Sequence, residues 1–101
     1  MDAGAEIGFY TADITRTWPV DGSFSPEQAQ IYRLVYGAQE AALAKIKPGA
    51  RHQEGYLAAM RYLSNGLVDL GILKGDKETV FNSRAWSRFT IHGISHWLGL
   101  D

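Results

Sequence analysis

The sequence predicts an α+β chain ordered as strand, two helices, short helix, strand. Three observations carry that expectation. Tyr10–Val20, "YTADITRTWPV", alternates and is rich in β-branched side chains. Two long runs, opening at Ser25 and near Gln53, repeat apolar residues at helical spacing. A short run near the end, "RFTIHG", reads as a strand or extended segment.

In the first strand Ala12, Ile14, Arg16 and Trp18 alternate with Asp13, Thr15 and Thr17. Pro19 belongs at its end or on a sheet edge, because proline has no N–H to donate to a ladder. "DAGAE" before the strand and "VDGSF" after it have turn chemistry. Ser25 then fits an N-cap, Pro26 the first helical position and Gln28 a capping box. Ile31, Leu34, Val35, Ala38, Ala42 and Ile46 follow on one face, and "KPG" at residues 47–49 stops the helix. The second helix spans about Gln53 to Leu70, with Tyr56, Met60, Leu63, Leu67 and Leu70 aligned and Gly71 as its C-terminal cap. "KGDKETVFNSRAW" is a turn and one short helix, and "ISHWLGLD" either starts a helix or stays irregular. A lone strand at each end cannot form an independently stable sheet. The expectation is therefore a loosely packed or self-associating chain, with Tyr10–Val20 exposed at an edge.

Composition narrows the function classes. The 101 residues suit one domain, and a net charge of −1 gives no footprint for nucleic acid or an anionic membrane. There is no cysteine, which excludes disulfide staples and thiol nucleophiles and fits a reducing compartment. "MDAGAEIGFYTAD" lacks the basic and apolar regions of a signal peptide, and no apolar run reaches the length of a membrane span. A soluble, cytoplasmic location is expected.

Asp2 and Asp13 lie eleven residues apart, and a reversal at "AGAE" brings them to one end of a hairpin. Paired carboxylates repel unless they hold a cation or share a proton. Spacing alone favours the plainer alternative, a frayed terminal acid and a solvent-facing strand acid. His92 and His96 have i, i+4 spacing, but Gly93 stands where a helical zinc-peptidase motif needs glutamate. Spacing alone again favours two partly buried histidines bonded to backbone. His52 reads as a surface residue. Ser95 beside His96 is no triad, and the glycines of "DAGAEIG" lack the lysine of a phosphate loop. Lys74, Lys77, Arg84 and Arg88 read as a solvated face.

Taken together, "DAGAEIGFYTADITRTWPVDGSFSPEQ", "KPG", "GLVDLGILKG" and "HGISHWLGLD" resemble the Xaa-Pro aminopeptidases, which are creatinase-like metallopeptidases of pita-bread fold. The resemblance runs from Asp2 to Asp101 and overrides the plainer alternatives. It implies that residues 1–101 are a partial metallopeptidase catalytic domain, roughly the first half of a pita-bread fold. It further implies that Asp2, Asp13 and His96 are metal ligands, with Asp13 bridging two ions, and that His92 is a non-ligand catalytic histidine beside the substrate. The implied cofactor is a dinuclear Mn²⁺ centre, with Co²⁺ able to substitute, and the implied substrate is an Xaa-Pro peptide. Carboxylate-rich sites with one imidazole favour hard, octahedral ions, which agrees.

The family's two downstream glutamate ligands have no counterpart up to Asp101, nor does its "VHD" continuation. Asp2, Asp13 and His96 offer at most five donor atoms, whereas two six-coordinate ions need about twelve positions. An incomplete fragment, inactive in isolation, is therefore expected. A fragment of an Xaa-Pro dipeptidase and a non-catalytic binding module are the alternatives.

Overall fold

The computed structural model describes residues 1–98. Four two-residue strands open the chain: β1 (Asp2–Ala3), β2 (Glu6–Ile7), β3 (Tyr10–Thr11) and β4 (Ile14–Thr15). Helices α1 (Pro26–Leu43), α2 (His52–Asp69) and α3 (Lys77–Asn82) follow, and a 3-10 turn covers Ala85–Arg88. The α+β character is as expected. The predicted Tyr10–Val20 strand is shorter and split in two, and it folds back on residues 1–7 as one antiparallel hairpin. "RFTIHG" forms no strand: Arg88 ends the 3-10 turn, and Thr90 donates its hydroxyl to Met60 Sδ at 3.5 Å. Residues 91–98 are irregular.

The helix signals worked because they are local. Ser25 Oγ accepts from the Gln28 N–H, and the Gln28 side chain accepts from the Ser25 N–H, closing the capping box. α1 ends at Leu43, three residues before Ile46, where the chain tightens into bonds from Lys45 N–H to Ala42 and from Ile46 N–H to Leu43. Pro48 disfavours helical backbone at Lys47. At the end of α2, Gly71 takes φ +72°, with its N–H on Val68 and the Ile72 N–H on Leu67. That is a Schellman closure, which needs the left-handed backbone glycine tolerates.

The core lies between α1, α2, α3 and the 3-10 turn. Leu34, Ala38 and Ala42 of α1 meet Ala59, Met60, Leu63 and Leu67 of α2, and Leu73, Val80 and Trp86 close one end. The helices approach closely at Gly66, where an added Cβ would stand 2.2 Å from Leu34 Cδ1. α1 carries a second apolar stripe, Ile31, Tyr32, Val35 and Tyr36, that remains exposed. With Trp18 and Phe24 it lines an apolar groove of about 750 Å³ between the Thr15–Pro19 segment and α1. Among the described residues, no helix is long and apolar enough to cross a membrane.

Candidate metal centre

The hairpin supplies the acids. Asp2 pairs with Thr15 and Ala3 with Ile14, and Glu6 with Thr11 and Ile7 with Tyr10 hold the same register. Met1 and Arg16 exchange backbone bonds at one end, and Ala12 N–H reaches the Ala5 carbonyl in the middle. Extending this register sets Asp13 opposite Gly4. Side chains alternate faces with period two, so Asp2 and Asp13 are diagonal neighbours on one face. The reversal is at Gly8–Phe9, not at "AGAE". Both residues take positive φ, as a two-residue type I′ turn requires. Gly4 instead permits a close backbone approach: the Ala12 carbonyl oxygen sits 1.5 Å from where a Cβ would be.

The other donor comes from the irregular segment after the 3-10 turn. Ile94 packs against the core, Ser95 turns the chain at φ +57°, and His96 follows. His96 Nε2 lies 3.1 Å from Asp13 Oδ2, and His96 Nδ1 lies 2.9 Å from the Trp97 carbonyl. A carbonyl can only accept, so Nδ1 carries a proton and donates it there. The pKa of His96 is raised, first by the Trp97 carbonyl and then by Asp13. Asp13 is held below the usual carboxylate range, first by its bond to His96 and then by its bond to Asp2. Both side chains are more than half exposed, so solvent screens this pair.

The donor chemistry suits a divalent cation. With Nδ1–H donated to the Trp97 carbonyl, Nε2 is the ring nitrogen turned toward Asp13. The set stops at this pair with Asp2 beside it. Among the described residues, no cluster of three or more acid or imidazole side chains could hold an ion.

His92 is exposed in the same segment and has no hydrogen-bond partner among the described residues. Residues 99–101 of the "HWLGLD" block lie outside the described residues. His52, which reads from sequence as a plain surface residue, opens α2 and meets Ser95 Oγ at 2.7 Å through Nε2. Its ring centroid is 6.1 Å from that of Trp97. No spacing rule reveals a contact across 43 residues. The cations read as a solvated face are partly engaged: Lys77 pairs with Asp69, and Arg84 and Arg88 lie over Trp86 and Phe89.

Residues 1–101 match the model of metallopeptidase family M24. The chain is 48% identical over its whole length to the Xaa-Pro aminopeptidase of Haemophilus influenzae, of which it spans 24%. The solved Pseudomonas aeruginosa aminopeptidase PepP superposes with a TM-score of 0.92 at 47% identity, over 97% of this chain and 22% of that one. Zinc-substituted Escherichia coli aminopeptidase P in complex with product gives 0.91 at 45% identity, over 99% of this chain and 23% of that one. Solved alanine variants of the same E. coli protein at single aspartate and histidine positions match equally well. The chain thus spans about a quarter of these relatives, and its strands and helices match the corresponding part of the aminopeptidase P pita-bread fold.

Proposed function

The chain belongs to metallopeptidase family M24, and on that premise we propose that it is part of the catalytic domain of a metal-dependent aminopeptidase. Its substrate class is peptides whose second residue is proline, and the reaction releases the residue before that proline. The observation that carries this reading is the meeting of Asp13 and His96 at 3.1 Å. Asp13 and His96 are assigned as metal ligands, Asp2 as the adjoining carboxylate ligand and His92 as the histidine facing substrate. Oxygen donors with one imidazole favour a hard ion, so Mn²⁺ is the expected metal and Co²⁺ a substitute. Held by these residues, such an ion would supply Lewis acidity toward water and a peptide carbonyl. The protein's own groups prepare the place. Its bond to His96 favours the ionised form of Asp13, and the Trp97 carbonyl orients the His96 ring. Exposed His92 can donate to a peptide carbonyl.

Two features of the comparisons support the assignment. The H. influenzae relative is an Xaa-Pro aminopeptidase. The E. coli alanine variants replace two aspartates with the same separation as Asp2 and Asp13, and a histidine as far beyond the second as His92 lies beyond Asp13. A cytoplasmic setting belongs to the same reading and rests on the cysteine-free composition.

The test replaces the matched part of E. coli aminopeptidase P with this chain and assays an Xaa-Pro peptide with Mn²⁺. The chimera should release the N-terminal residue. His96→Ala should remove metal, and His92→Ala should lower turnover with metal still bound. A folded chimera that binds metal and does not cleave sinks the aminopeptidase reading in favour of a binding module. The 101-residue chain alone should not cleave, since its described donors do not close a metal cage.

A further inference from the structure

We propose that His52 and Ser95 form a positioning pair that holds the His96 imidazole toward Asp13. The geometry stands on its own. Its consequence for metal binding rests on the reading of Asp13 and His96 as ligands.

His96 sits on a segment without regular secondary structure, so helix or ladder bonds do not set its direction. Three contacts do. Ile94 is packed against the helical core on one side. His96 itself meets Asp13 on the other. Between them, Ser95 adopts φ +57°, a left-handed conformation that a non-glycine residue holds only when its surroundings impose it. The bond at that residue is to His52 Nε2, at 2.7 Å. His52 begins α2, whose Ala59, Met60, Leu63 and Leu67 are buried in the core. The same imidazole lies beside Trp97, whose carbonyl accepts from His96 Nδ1. One side chain on a packed helix therefore touches the residues on both sides of His96. Releasing it frees the Ser95 backbone to return to a right-handed or extended conformation, which swings His96 away from Asp13.

The test uses NMR on the 101-residue chain, with circular dichroism to monitor helix content. In the metal-free chain, a nuclear Overhauser effect between the His96 ring and the Asp13 β-protons should be detectable. It should fall at least threefold in His52→Ala and in Ser95→Ala. His52→Gln, which keeps a polar group at the same reach, should restore it. Ser95→Ala changes only an exposed residue of an irregular segment, so it remains readable if His52→Ala unfolds the helix. A wild-type effect in Ser95→Ala, or no rescue by His52→Gln with helix content intact, overturns the proposal. With Mn²⁺ alone as probe, paramagnetic broadening of His96 should need about tenfold more ion in His52→Ala, the scale of losses when an outer partner of a ligand is removed. If Mn²⁺ does not broaden His96 in the wild type, the metal-ligand reading fails, and the metal-free arm still decides the positioning pair.

Discussion

Asp13 Oδ2 and His96 Nε2 meet at 3.1 Å although 83 residues separate them in the chain. The contact ties the N-terminal hairpin to the segment after the 3-10 turn. Each side chain comes with a neighbour that prepares it: Asp2 shares a face with Asp13, and the Trp97 carbonyl holds the far nitrogen of His96.

Metal binding should follow this pair. Calorimetry with Mn²⁺ on the 101-residue chain should show one weakly held ion. Asp13→Ala or His96→Ala should weaken it by more than tenfold, since losing only an outer partner of a ligand already costs about that much. Asp2→Ala should cost less, because the contact with His96 is made by Asp13. Tight binding of two ions, or binding indifferent to His96, contradicts the assignment.

The isolated chain should also self-associate. Ile31, Tyr32, Val35 and Tyr36 face an open groove with Trp18 and Phe24, and exposed apolar surface of this extent drives association. Sedimentation velocity should show mass rising with concentration, and Val35→Glu should shift the chain toward monomer without loss of helix. A wild-type chain that stays monomeric at high concentration counts against it.

Trp86 is the keystone of the small C-terminal cluster. It is 3% exposed, stacks on Phe81, meets Tyr56 edge-on and donates Nε1–H to the Phe81 carbonyl at 3.1 Å. Trp86→Ala should cost about 3–5 kcal/mol. Complete native domains are stable by only roughly 5–15 kcal/mol, so a loss of this size is large even on that scale. Urea unfolding should show a strongly lowered midpoint; a midpoint near wild type would mean that the cluster contributes little.

Acid should loosen α3. Asp76 caps it, and its carboxyl is held below the usual range mainly by the Thr79 N–H. Glu78 is lowered mainly by Arg61, at 2.6 Å. A depressed folded-state value means stability that is full above the unfolded value and lost as pH falls through the folded one. The loss should therefore develop below about pH 4. Hydrogen exchange of α3 amides across that range should accelerate in the wild type. Asp76→Asn, which keeps an acceptor oxygen but cannot titrate, should flatten the part due to Asp76. An unchanged acid response in Asp76→Asn removes Asp76 as a cause.

The sequence alone determined whatever depends on a few neighbouring residues. The Ser25–Gln28 box, the Gly71 closure and the helical periods of α1 and α2 are interactions across three to five positions, so their partners can be read in the sequence. The family motifs likewise mark Asp2, Asp13, His92 and His96 as candidates without coordinates. Tertiary structure decided the rest. It turned the hairpin at Gly8–Phe9, because the register that pairs Asp2 with Thr15 also pairs Ile7 with Tyr10. It buried Leu34 and Ala38 and left Ile31 and Val35 exposed, although all four fit one helical period, because α2 covers only one stripe of α1. It placed His52 against Ser95 and His96 against Asp13, contacts spanning 43 and 83 residues. Contacts at that range depend on where the tertiary fold lays distant segments, and no local propensity or spacing encodes that.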